Sequence, residues 1–386
     1  MNLRRQRGFT LIELMIALVV SSLLVGLILA IFSRMSLAYR GQQQIAGVQQ
    51  VLAAARATIE SDAKQTGFAV AQGFKIASTG PTVLQWPVQI RDSSTGPDQV
   101  AFFYADSSAQ AVVATVPAWT ATATVTTVDP VPTGSSGFVL NDLVVFSKVD
   151  TSTNTPIPGE AGIEANIATY DACVGQIAAI SGSSIAISRS GAWGNSASTQ
   201  CGATGPSVGA VIYKFVARGY RIDPNPGTAA RAEQGALQQS QTGGLLNSAL
   251  DNWTDVAYGF TDIQTALRVY DGDTLDSADL DTDPAREWYS GAAQDAQTGT
   301  SVPLTAVAAA PLQMSISLVA RTDRDVEGIT TAATPNLTAP PNLDNNTIGN
   351  RVSVVLPSAT DLALQGSRIY RYLTFQVDFR NMGIGR

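Results

Sequence analysis

From Phe9 to Phe32 the chain is an apolar run broken only by Thr10, Glu13, Ser21 and Ser22, and it follows directly on Arg4, Arg5 and Arg7. As a helix, those 24 residues span roughly 36 Å, enough to cross a hydrocarbon layer of ~30 Å with some tilt. The arginines set the orientation, because clustered positive charge stays in the cytoplasm. Beyond Phe32 the pattern changes. Ile45, Val48, Leu52, Ala55 and Ile59 recur at three-four spacing, with Gln42, Gln43, Gln49, Gln50, Arg56 and Glu60 between them. That is the period of an amphipathic helix with one apolar stripe. Such a stripe packs on the chain's own globular part, a self-associating coiled coil being the rival. Gly41 and Gly47 are places where this helix would loosen, and Gly67 is its expected stop.

From Gly67 onward, short β-rich runs alternate with Gly, Pro, Asn, Asp and Ser clusters. Residues 100–106, 138–149, 211–222, 314–321 and 370–381 read as strands of a mainly antiparallel structure. In the last, Leu373, Phe375, Val377 and Phe379 alternate with polar neighbours, so one face is buried. Segments 151–164, 190–206 and 325–350 are rich in turn formers and read as exposed loops. The expected fold class is therefore α+β: a long N-terminal helix, transmembrane then amphipathic, packed on a mainly antiparallel β-rich domain. The expected divisions are a leader at 1–8, a helix at 9–66 (transmembrane over 9–32, amphipathic over 33–66) and a globular domain at 67–386.

Composition narrows the functions. Charged residues make up only 14% of the 386, which suits an exported domain with an uncharged polar surface. A net charge of −7 with 24 Lys and Arg in all argues against nucleic acid, which needs clustered cations. The chain has no histidine, which removes the usual general base, the commonest metal ligand and any imidazole-based triad. No catalytic residues and no cofactor are expected, and the chain reads as a non-enzyme. Its two cysteines, Cys173 and Cys201, flank a Gly/Ser-rich stretch. In an oxidising compartment such a pair closes a loop, worth roughly 3–4 kcal/mol; two reduced, buried thiols are the alternative. Residues 271–283 hold six carboxylates, and Asp279, Asp281 and Asp283 have the opening spacing of a calcium loop. Pro284 and Ser290 stand where its turn glycine and bidentate glutamate belong, so a solvated acidic loop is the better reading.

Glu13 is the informative residue. A carboxylate inside an apolar span costs on the order of 3 kcal/mol and persists with a partner or a purpose. Gly8, the small residue suited to cleavage, precedes the apolar run, so a cut there would keep the helix. The new α-amine of Phe9 would lie one turn from Glu13, and in a stack of such helices one subunit's amine meets another's carboxylate. A Glu that snorkels or is protonated at the cytoplasmic face is the alternative.

The string RGFTLIELMIAL resembles the type IV prepilin signature: basic leader, Gly at the cleavage site, Phe as first mature residue, Glu as fifth, then an apolar helix. That resemblance implies that prepilin peptidase cuts after Gly8, that Phe9 is N-methylated, and that Glu13 registers subunits. Ala30 stands where many major pilins carry a helix-bending proline, which fits a minor role. Three further features are similar to the PilW family of minor pilins: the junction ESDAKQTGF (60–68), the order of LVVFSKV, a cysteine-bearing strand and YRID, and the ending FRN (379–381). PilW resemblance implies a subunit that starts or caps a type IV pilus with major pilin, with minor pilins of the H, V, X and E types and with a tip adhesin. It implies an inner-membrane precursor whose domain is periplasmic before assembly, and roles in pilus biogenesis, twitching motility and adhesion. The alternatives are a J-type pseudopilin of a type II secretion system and a membrane-tethered binding protein or hydrolase.

Overall fold

The computed structural model describes residues 10–70, 74–76, 83–85, 87–91, 97–116, 122–134, 136–150, 169–188, 206–223, 235–241, 252–270, 288–290, 294–295, 310–322 and 369–379. Helix α1 (Leu11–Gln65) is 55 residues long. It opens on Thr10, an extended N-cap whose side chain bonds the Glu13 amide, and runs through Ala30, Gly41 and Gly47 without interruption. It stops at Thr66, and Gly67 takes a φ of +86°, a left-handed conformation that favours glycine. The sides of α1 are segregated by position along its length. Leu11 to Phe32 is exposed, whereas Gly41, Val48, Leu52, Ala55, Ile59 and Ala63 are buried. That stripe packs on the chain's own domain, with Ile45 half-buried at its margin.

Two sheets enclose the buried end of α1. One is formed by β3 (Val88–Arg91), β4 (Gln99–Thr115), β9 (Val211–Asp223), β10 (Ala236–Ser240) and β11 (Trp253–Tyr258), each antiparallel to its neighbour. The other centres on β12 (Phe260–Tyr270), β15 (Ala310–Arg321) and β16 (Tyr370–Asp378), again antiparallel, with the short β13 (Trp288–Ser290) and β14 (Gln294–Asp295) beside β12. Ile59 and Ala63 of α1 share one core with Phe102, Tyr220, Leu237, Ile316 and Phe375. In β16 the alternation is as the sequence indicates: Phe375, Val377 and Phe379 are buried, and Gln376 and Asp378 are exposed. Asp98 ties the two sheets together. Its buried carboxylate accepts from the Thr265 amide at 2.9 Å and hydroxyl at 3.2 Å, while its own amide donates to the Ile263 carbonyl at 2.9 Å.

The remaining strands close on themselves. β4 pairs with β5 (Thr122–Thr127), β5 with β8 (Ser184–Ser188), β8 with β7 (Thr169–Ser181), β7 with β6 (Leu143–Asp150), β6 with β9, and β9 with β4. The result is a six-stranded barrel, and closure removes the edges that an open sheet would expose. Its interior is filled from every strand: Ala111 and Val113, Val125, Ile185 and Ile187, Ile177, Phe146, and Ile212. Gly175 faces this interior because a Cβ there would lie 2.5 Å from Ile187 Cγ2. The stretch from Val128 to Asp142 crosses one end, with buried Val131 and Phe138 packed into the barrel core. Phe138 is thus a plug preceding β6, not the first residue of a strand. β4 and β9 serve both bodies: their paired register slips between Asp106 and Gln110, at the passage from the helix-packing sheet into the barrel.

The pairing is not wholly antiparallel. The short β1 (Phe74–Ile76), itself antiparallel to β2 (Val83–Gln85), meets β7 in parallel at Lys75 and Cys173. The chain leaving α1 runs along β4, with the Gly67 amide bonded to Phe103 O at 3.0 Å and the Ala105 amide to Phe68 O at 3.0 Å. Val70 then joins a third core with Ala105, Val145 and Val174 on the outside of the barrel. The barrel consequently lies past the C-terminal end of the helix.

Candidate functional site

The helix start is built by a capping box. Glu13 donates its amide to Thr10 Oγ1 at 3.3 Å, and Glu13 Oε2 accepts from the Thr10 amide and hydroxyl, each at 3.0 Å. The sequence signal for this is the Thr-x-x-Glu spacing, which satisfies two of the donors an α-helix leaves open at its N-terminus. Because helical side chains tilt toward the N-terminus, the carboxylate is drawn back toward position 9. Among the described residues Oε1 accepts nothing, so one oxygen holds the cap while the other stays open to a cation. Gly8 and Phe9 lie outside the described residues.

Along the apolar part of α1 the two hydroxyls are satisfied by the helix itself. Ser21 Oγ donates to Leu18 O at 3.0 Å and Ser22 Oγ to Val19 O at 2.8 Å. No side chain there other than Glu13 demands a partner from outside, which is the condition for residence in hydrocarbon. This is one helix long and apolar enough to cross a membrane, and its apolar window has no buried residue.

At the far end α1 is fastened by polar contacts. Asp62 accepts from Tyr104 Oη at 2.8 Å and from Tyr220 Oη at 2.5 Å, and Gln239 Nε2 donates to Tyr220 Oη at 2.7 Å. Burial, then the Asp62 charge, pushes both phenols well above the usual tyrosine range. On the solvent side Glu60 pairs with Lys64 at 2.6 Å and Arg56 at 3.0 Å; its pKa is lowered, chiefly by the Lys64 hydrogen bond and then by Arg56. Sequence reading passed over Asp62 because an aspartate in the last turn of a helix looks like one more solvated charge. Its tyrosine partners come from strands 42 and 158 residues away.

The other residues singled out from sequence do not join this site. Cys173 is buried in β7, in register with Phe146 across the barrel wall, and Cys201 lies outside the described residues. Asp279, Asp281 and Asp283 lie outside them too. So do Arg380 and Asn381 of the FRN ending and the loops at 151–164, 190–205 and 325–350. Among the described residues no group of three or more His, Cys, Asp or Glu side chains could hold a metal ion.

Residues 3–29 match the family model described as the prokaryotic N-terminal methylation motif. No curated protein matches the chain. Among solved structures it is similar to a type IV-like pilin from Thermus thermophilus, at 12% identity and a TM-score of 0.33, over 87% of this chain and 97% of that one. The chain therefore carries a methylation motif of prokaryotic prepilin-like proteins on a long apolar helix, and that helix packs on an antiparallel β-rich domain.

Proposed function

We propose that the chain is a minor pilin of the PilW kind, a structural subunit that prepilin peptidase cleaves after Gly8 and methylates at Phe9. It then leaves the inner membrane to join other minor pilins and major pilin at the start or tip of a type IV pilus. The single observation that carries this reading is Glu13. It is an ionisable side chain in an otherwise hydrocarbon-compatible helix, inside the matched motif, with one carboxylate oxygen taken by Thr10 and the other open. A freshly exposed α-amine on a neighbouring subunit is the cation such a site accepts, and pairing in a low-dielectric helix stack would set the axial register. The barrel beyond the end of α1 supports a place at the filament's outer end, where nothing has to stack above it. Attachment, by way of a tip adhesin or of the barrel itself, and support of twitching motility follow from that place. A disulfide between Cys173 and Cys201, tying the segment after β8 to the barrel, belongs to the same reading, because the domain would fold in the oxidising periplasm.

N-terminal mass spectrometry of the membrane-extracted chain tests the proposal. The expected mature chain begins with methylated Phe9; an intact N-terminus retaining Arg4, Arg5 and Arg7 in cells with an active peptidase would sink it.

A further inference from the structure

Between the end of the apolar run at Phe32 and the first buried residue at Gly41, α1 crosses eight residues, none of which belongs to the core that α1 shares with the sheets among the described residues. Seven are exposed, with Ser36 half-buried, and Met35 and Tyr39 are 66% and 62% accessible. Two of the eight, Arg34 and Arg40, are cations, and neither has a salt bridge or hydrogen-bond partner among the described residues. No acidic residue stands anywhere between Glu13 and Glu60, so the helix offers them no carboxylate at i±3 or i±4. Eight residues advance about 12 Å, while the headgroup layer on each side of the hydrocarbon is about 5–8 Å thick. With the apolar run in hydrocarbon, Arg34 sits at the inner margin of the headgroups and Arg40 at the outer, with Tyr39 beside Arg40 as an interfacial anchor.

The two arginines are six residues apart, about 240° around the axis at 100° per residue. They form a collar, not a stripe. A neighbouring protein sees one side of a helix, whereas lipid surrounds it, and guanidinium matches phosphate oxygens bidentately. The collar also outlasts processing: cleavage after Gly8 removes Arg4, Arg5 and Arg7 and leaves Arg34 and Arg40 as the arginines flanking the span. We propose that residues 33–40, through Arg34 and Arg40, bind the phosphate headgroups of anionic phospholipids in the leaflet facing the domain, and hold the processed subunit in the membrane until assembly extracts it. The proposal rests on the membrane-spanning reading above.

The test is native mass spectrometry of the chain cleaved after Gly8, and so without Arg4, Arg5 and Arg7, in detergent with phosphatidylglycerol or phosphatidylcholine added. The wild type is expected to retain phosphatidylglycerol roughly tenfold over phosphatidylcholine. R34Q/R40Q is expected to lose that preference and R34K/R40K to keep most of it. Equal retention of the two lipids by the wild type, or an undiminished preference in R34Q/R40Q, overturns the proposal. So does displacement of the lipid by inorganic phosphate at matching concentration, or a double variant excluded from filaments while its lipid preference is unchanged, which would assign the arginines to a protein partner. A chain absent from the membrane fraction overturns the membrane-spanning reading itself, an outcome distinct from lipid indifference in a chain recovered there.

Discussion

A carboxylate near the start of an apolar helix is tolerated by capping in cis or by pairing in trans, and Glu13 has the geometry for both at once. Thr10 holds Oε2, which fixes the rotamer, and leaves Oε1 to a partner. The two roles separate by mutation. Glu13→Ala and Glu13→Gln both remove the charge, and both are expected to abolish recovery of the chain in sheared filaments while leaving it abundant in membranes. Thr10→Ala keeps the charge and costs the cap, about 1 kcal/mol of helix N-terminus, so incorporation should fall without vanishing. Immunoblots of the filament and membrane fractions read all three, and Glu13→Gln at wild-type level in filaments would refute the pairing argument. The Asp62 site makes a second prediction at this scale. Tyr104 and Tyr220 have their folded-state pKa raised above the ordinary value of 10.0. The unfolded chain therefore gives up these phenol protons first as pH rises, and the stability held by the neutral phenols is present below pH 10 and lost above it. The melting temperature should drop from pH 9 to 11, and the drop should shrink in Tyr104→Phe/Tyr220→Phe. Equal drops in the two proteins would show that these phenols do not carry the effect.

Helix α1 shows what periodicity does and does not reveal. Its extent, its apolar half and its buried stripe all follow from three-four spacing, because a helix face is written in local sequence. Strands with one buried face, such as β16, are legible for the same reason. The strands not singled out include β5, where Thr and Ala give period-two alternation little contrast, and β12, whose buried run mixes Asp262, Gln264 and Thr265 with Ile263 and Ala266. Barrel closure escaped entirely. It depends on β6 pairing with both β7 and β9, long-range choices that no local pattern encodes. The Asp62 and Asp98 fastenings were invisible for that reason as well, since their partners are set by the fold. The stripe itself makes a stability prediction. Ile59 is fully buried between the two sheets, and Ile59→Ala should cost about 2–4 kcal/mol. Val256, exposed on β11, should tolerate Ala within about 0.5 kcal/mol. Denaturant melts of the full chain in detergent compare them, and a similar loss in both would mean that α1 is not seated on the sheets as described.

At the scale of the whole molecule, two apolar cores are threaded on the same pair of strands. One surrounds the end of α1; the other fills the barrel; a third, with Val70 and Val145, lies on the face of β4 and β9 opposite the α1 core and outside the barrel. β4 and β9 run through both, yet the residues that fill the barrel come from 109 to 212, whereas those around α1 come from both ends of the chain. Such an arrangement should open in two steps, because loosening the barrel does not require drawing α1 from its seat. Gly175→Ala is the probe. Its methyl would press on Ile187 Cγ2 in the barrel interior, at a cost of about 1–3 kcal/mol, and Ile187→Ala, which removes that carbon, should cost less in the same chain than in the wild type. Native-state hydrogen exchange on Gly175→Ala should then show lost protection at Phe146, Ile177 and Ile185, with Leu237, Ile316 and Phe375 unchanged. If every amide weakened by the same factor, barrel and helix-bound sheets would be one cooperative unit. A subunit so built could not rearrange its outer end without disturbing the helix that anchors it. If protection divides as expected, the barrel can respond to whatever it meets beyond the helix end while α1 keeps its seat on the sheets.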